Sequence, residues 1–125
     1  MEWNVGDHVT GIYKTGKYAG VVTGLRPMHV LVQVKAVLKH PQQGDLHMPK
    51  QAEVPLFHER RALSFNEQTN IPASMLKSFD GEFPEYKDSL KKALEQQKAS
   101  LSEEETLWAK KSLDQLAQLE NEYKL

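Results

Sequence analysis

Val30-Leu31-Val32-Gln33-Val34-Lys35-Ala36-Val37-Leu38 is the stretch that decides the fold. Val30, Val32, Val34, Ala36 and Leu38 fall on one side of an extended chain. Gln33 and Lys35 fall on the other, between Leu31 and Val37 at its ends. Period two is the pattern of a strand in a half-buried sheet. Toward the N-terminus, Tyr18 to Leu25 reads as a second strand. Val9 and Ile12-Tyr13 read as a third, joined to it through a turn at Lys14-Thr15-Gly16-Lys17. Gly20 and Gly24 leave little side-chain volume on the middle strand, which permits a sharp bend or a close backbone approach. Toward the C-terminus, Val54 to Phe57 and Ala62 to Phe65 are further strand candidates. Ile71 to Leu76 reads as a short helical turn with Pro72 near its first position. Short, strongly bent strands within about 75 residues suggest a small SH3-like β-barrel, because a flat sheet of that size exposes its edges and half its apolar side chains.

The composition changes near residue 82. All six prolines and all seven glycines lie at or before Pro84, and all five histidines at or before His58. Beyond that point the chain fills with Leu, Ala, Glu, Gln and Lys, the strong helix formers. A first helix starts near Pro84, with Tyr86, Leu90, Ala93, Leu94 and Gln97 on one face. Ser102-Glu103-Glu104-Glu105 matches a capping box and marks the start of a second helix. Its stripe runs Trp108, Leu116, Leu119 and Tyr123. A short connection forces the two helices antiparallel. The expected class is therefore α+β, mainly β: an SH3-like β-barrel over residues 1–79, then an antiparallel helical hairpin over residues 80–125. The hairpin's apolar stripes must be covered by the barrel, by a second copy in a homodimer, or by a partner.

Several function classes are disfavoured. The chain has 125 residues, no cysteine and a formal charge of −1. Disulfides, thiolate metal sites, cysteine nucleophiles and thioether lipid anchors all need a cysteine. No apolar run approaches the about 20 residues of a membrane span. The first residues lack the basic and apolar regions of a secretion signal. These features predict a cytoplasmic protein without membrane insertion. No nucleophile elbow, phosphate loop or paired-acid motif is present, so no enzyme and no cofactor are expected.

The candidate site is the connection Lys39-His40-Pro41-Gln42-Gln43-Gly44-Asp45-Leu46-His47-Met48-Pro49-Lys50. Hairpin connections usually take two to five residues, so a longer one suggests a recognition loop or a structural plug. His40, Asp45, His47 and His58 are side chains that could converge as metal ligands. Their spacing matches no tight metal motif. The blander reading is that the imidazoles hydrogen-bond loop carbonyls, and no metal is expected. Lys50, Arg60 and Arg61 border the same region, and arginines bind phosphate or carboxylate well. The candidate partner-binding set is therefore His40, Asp45, His47, Lys50, His58, Arg60 and Arg61.

Several phrases carry a family resemblance: Val37-Leu38-Lys39-His40-Pro41, Gln43-Gly44-Asp45-Leu46-His47, Phe57-His58-Glu59-Arg60-Arg61-Ala62-Leu63 and Trp108-Ala109-Lys110-Lys111-Ser112-Leu113. The chain resembles kinase-associated protein B of sporulating Bacillus-type bacteria over nearly its whole length. The resemblance implies a non-enzymatic regulatory adaptor. Its partner would be a sensor histidine kinase or another phosphorelay protein in the route that starts sporulation, in the cytoplasm or peripheral to a membrane-bound kinase. The alternative is a nucleic-acid-binding KOW/SH3-like barrel, because Gly16 to Val22 resembles a KOW-type strand. The balanced charge weighs against nucleic acid, whose phosphates dominate affinity.

Overall fold

The structure, a computed structural model, describes residues 2–45, 47–54 and 57–125. Strand β1 (His8–Tyr13) turns into β2 (Gly16–Leu25), which pairs with β3 (His29–Lys39). After the long connection come β4 (Gln68–Pro72), a 3-10 turn (Ala73–Met75) and β5 (Lys77–Ser78). Helices α1 (Tyr86–Ser102) and α2 (Leu107–Tyr123) follow. The strands form one antiparallel sheet in the order β4-β3-β2-β1-β5. The expected class is present, mainly β with a C-terminal helical hairpin. The barrel ladder is not closed, and β4 and β5 remain its two edges. Side chains bridge the opening: Ile71 and Leu76 both lie against the backbone of Gly11. The inside of the bent sheet holds Trp3, Val9, Val22, Val30, Val32, Ile71 and Leu76.

The decisive strand is interrupted in an informative way. Its pairing with β2 slips at three points, between Lys17 and Tyr18, between Ala19 and Gly20, and between Val22 and Gly24. Each bulge bends the sheet and changes which side chains face inward. Val37, expected on the outer face, is therefore buried, and Leu38 is only half-buried. The Val37 N–H is taken by Ser89 Oγ of α1 at 3.0 Å, and that hydroxyl donates to Tyr86 O at 2.7 Å. Gly20 answers a separate need. A Cβ there would overlap the Gln33 carbonyl oxygen across the ladder.

Two expected elements differ. Ala62 to Phe65 is irregular, while polar Gln68–Pro72 forms the strand instead. Three tyrosines explain the first change. Ala62 N–H donates to Tyr123 Oη (2.9 Å) and Leu63 N–H to Tyr18 Oη (3.3 Å), while Tyr86 donates to Leu63 O. With those partners the segment needs no ladder. The second follows from edge position. β4 pairs only with β3 and directs only Ile71 into the core, so it shows no apolar alternation. Pro55 and Leu56, within the Val54 to Phe57 candidate, lie outside the described residues.

The hairpin begins slightly later than expected. Tyr86 is the first residue of α1, behind an N-cap at Glu85. The capping box is not used. α1 runs through Ser102, whose hydroxyl donates to Lys98 O at 2.8 Å. α2 is capped by Thr106, whose Oγ1 accepts the Ala109 N–H at 3.1 Å. The extra turn of α1 lets Leu101 join Leu94, Trp108, Ala109, Leu116 and Leu119 in a core between the helices and the loop residues Ala52 and Phe57. A second cluster joins Leu90 and Ala93 to Tyr18, Val34, Val37 and Ala62. Both helical stripes are thus covered within the chain.

Two serines test this accounting. Ser89→Ala strands the buried Val37 N–H and should cost about 1–3 kcal/mol. Ser112 Oγ is buried with no partner among the described residues, so Ser112→Ala should be neutral or stabilising by up to about 1 kcal/mol. Urea denaturation of both variants measures the contrast, and equal losses would refute it.

Candidate functional site

The long connection leaves β3 at Lys39 and returns at Ala62. Its inner course is buried at His40, Pro41, Gln43 and Gly44. Among the described residues no strand pairs with it, so side chains take the place of a ladder. The Gln43 carboxamide behaves as one rung: Oε1 accepts the Arg60 N–H at 2.9 Å, and Nε2 donates to Arg60 O at 2.9 Å and Pro41 O at 3.2 Å. Beside it, Gly44 N–H donates to His58 O at 2.9 Å, and Arg60 Nε to Gly44 O at 3.1 Å. Gly44 sits at φ +101°, and the Phe57 ring fills the place where a side chain would project. The helices hold three further carbonyls. Trp108 Nε1 donates to Gln43 O at 3.2 Å, Gln97 Nε2 to His40 O at 3.1 Å, and Lys111 Nζ to Ala52 O at 2.9 Å. From the other side, Thr15 Oγ1 accepts the Gln42 N–H at 2.9 Å. Lys14 and Thr15 both have positive φ, 46° and 71°, the geometry of a two-residue hairpin turn that β-branched residues rarely adopt. That turn places the threonine hydroxyl against the loop.

His40 is fully buried. Its Nδ1 lies 2.9 Å from Pro41 O, and a carbonyl only accepts, so Nδ1 carries the proton. Nε2 then accepts from the Tyr123 hydroxyl at 3.0 Å. The same hydroxyl oxygen accepts the Ala62 N–H, so one relay ties both arms of the loop to the end of α2. Burial lowers the His40 pKa from its ordinary value of 6.5, against the opposing pull of the Pro41 hydrogen bond. Burial likewise pushes the Tyr18 hydroxyl up to about 12 and raises Tyr123 and Tyr86. The hydroxyls therefore stay protonated at neutral pH.

The other candidate residues are distributed around this frame. Asp45 and His47 share one tight turn, in which Asp45 Oδ1 accepts the His47 N–H at 2.8 Å, and His47 is exposed. His58 and Arg60 are half-buried beside Gly44. Arg61 is exposed, pairs with Glu122 at 2.9 Å and lies over the Tyr123 ring. It shares a cleft of about 400 Å³ with Arg60. Lys50 stands at a different cleft, 3.8 Å from Glu104 and over the Trp108 ring. Convergence of the four metal-type side chains is not what the fold produces. His40 is enclosed and occupied on both nitrogens, while His47 points to solvent. Among the described residues no group of three or more histidines and carboxylates is placed to hold a metal ion. Sequence reading placed Gln43 in the loop and Tyr123 on the stripe of the second helix, but did not reveal their role in organising the loop. That role leaves no local signal, because a buried glutamine and a helix-end tyrosine look like ordinary polar and apolar positions.

Comparison with known proteins now gives the family. The model for kinase-associated protein B (KapB) matches residues 13–124. The chain belongs to the KapB family. It is 57% identical over 121 residues to "Kinase-associated lipoprotein B" of Bacillus subtilis (strain 168), covering 97% of this chain and 94% of that one. The crystal structure of kinase-associated protein B from Bacillus cereus superimposes with a TM-score of 0.85 at 49% identity, covering 99% of this chain and all of that one. The KapB loop described above is thus set in a shared fold. The Bacillus subtilis relative is named a lipoprotein. None of the 125 residues here is a cysteine, and among the described residues no helix is long and apolar enough to cross a membrane.

The relay has a defined pH dependence. A histidine that binds its proton more weakly in the folded state makes the unfolded state the better proton acceptor. The His40 contribution is therefore complete above the unfolded value of 6.5 and is lost as pH falls through the lowered folded value. His40→Gln should lose more stability, relative to wild type, at about pH 7.5 than at about pH 5.5. Thermal unfolding at both pH values checks this, and an equal deficit at the two would contradict it. Tyr123→Phe should cost about 1–3 kcal/mol by stranding the Ala62 N–H.

Proposed function

We propose that this KapB-family chain is a non-enzymatic regulatory adaptor, acting in the cytoplasm with a sensor histidine kinase in the phosphorelay that starts sporulation. The kinase association of the relatives, carried in their names, supports the partner class. The observation that carries the reading is the braced loop. Its inner backbone is hydrogen-bonded from α1, α2 and the β1–β2 turn, while the side chains of His47, Lys50 and Arg61 remain exposed. A loop held in one shape loses little conformational entropy on binding. In this reading residues 1–79 frame the loop and residues 80–125 brace it. A homodimer would use faces other than the helical stripes, which are buried within the chain. The nucleic-acid alternative has a weaker basis, since the formal charge is −1.

Arg61→Glu is the informative substitution, because Arg60 also supports Gly44 O and its loss would disturb the loop. Binding of the purified kinase to immobilised protein should weaken by at least about tenfold in Arg61→Glu combined with His47→Glu, as for the loss of charged contacts. Circular dichroism establishes that the variant is folded. Wild-type affinity in the folded variant removes the proposed surface. No kinase binding by the wild-type chain, with retarded mobility of nucleic acid at low salt, would favour the alternative.

A further inference from the structure

A second cleft, of about 540 Å³, lies between the end of β3, the loop and the helical hairpin. Its electrostatics are unusual for a chain of net charge −1. Lys17, Lys39 and Lys50 line it, and Glu104 is its one carboxylate. Lys17 and Lys39 are direct cross-strand partners in the β2–β3 register. Like charges placed opposite each other on adjacent strands repel. Neither has an ion-pair partner among the described residues, in contrast to Lys50, Lys98 and Arg61. The other wall is mixed: Leu38, Ala93, Leu101 and Trp108 give apolar surface, and Gln96, Gln97 and Ser100 of α1 stand among them. The volume falls within the range of about 300–1,000 Å³ typical of small-molecule sites. It exceeds what a bare inorganic ion fills. A concave site also concentrates the field of its lysines.

We propose that this cleft binds a small organic anion, its phosphate or carboxylate between Lys17 and Lys39 and its apolar body against Leu101 and Trp108. The site is separate from the Arg60–Arg61 cleft and does not rest on the adaptor reading. It does touch the loop. Gln42 and Lys50 belong to both, and Trp108 holds Gln43 O. An occupant would therefore tighten the junction of loop and hairpin, giving the protein a small-molecule input.

The test uses the full chain, labelled with nitrogen-15. AMP, phenyl phosphate and citrate are titrated separately to millimolar concentration, with adenosine as the uncharged control. At least one anion should give saturable shifts at the Trp108 indole N–H and at amides of Gln97 to Leu101. Adenosine should bind at least about tenfold more weakly than AMP if AMP binds, because it lacks the charge the lysines recognise. Lys39→Glu separates binding from folding. It replaces a repelling cross-strand pair by an attracting one, so the midpoint of thermal unfolding should hold or rise while anion binding falls at least about tenfold. The proposal is overturned if none of the three anions gives saturable shifts there. It is equally overturned if Lys39→Glu binds like wild type, or if adenosine binds as tightly as AMP.

Discussion

Buried backbone needs hydrogen-bond partners, and the described residues of the long loop after β3 have no strand to supply them. Most of this structure follows from how that constraint is met. Gln43 supplies a rung from its side chain, pairing with both backbone groups of Arg60. Trp108, Gln97 and Lys111 supply donors from the helices for three loop carbonyls. Tyr123, Tyr18 and Tyr86 close the returning arm at Ala62 and Leu63. An aromatic or long polar side chain is suited to this work. It brings apolar area to the core and delivers its donor at the far end. The helical hairpin is therefore a brace for the loop as much as a cover for the sheet.

The same constraint shapes the electrostatics. A fully buried histidine is tolerable when it is neutral and both nitrogens are occupied, and the Pro41 carbonyl selects the tautomer that allows it. Charged side chains are kept outside. Arg61 lies over the Tyr123 ring and pairs with Glu122, while Lys50 lies over Trp108 near Glu104. Two residues that look alike in sequence, His40 and His47, thus have opposite fates. One is a rigid internal connector, and the other is a solvent-facing side chain on a tight turn.

How much of this was legible depended on the kind of signal each feature leaves. The three long strands and both helices carry their own periodicity, and local sequence was enough to find them. The alternation of Val30 to Leu38 misplaced Val37 because a bulge resets the period and leaves no mark in a run of valines. The β4 strand was invisible because an edge strand of Gln-Thr-Asn needs only one inward side chain. Ser102 matched a cap motif by spacing, yet burial of Leu101 favoured one more turn of α1, and Thr106 took the role. The importance of the His40 loop was readable from its length and composition. Its mode of fixation was not, since Gln43 with Arg60 and His40 with Tyr123 are long-range pairs. The Lys17–Lys39 juxtaposition likewise exists only through register.

These long-range pairs also bear on cooperativity. Tyr123 and Leu125 pack against both the cluster under β3 and the cluster between the helices. Tyr123 further hydrogen-bonds both arms of the loop. The last turn of α2 is thus coupled to the sheet, the loop and the other helix at once. Groups that share partners in this way do not contribute independently. A perturbation at the chain's end is expected to reach the loop both through the Tyr123 hydroxyl and through the packing of Tyr123 and Leu125.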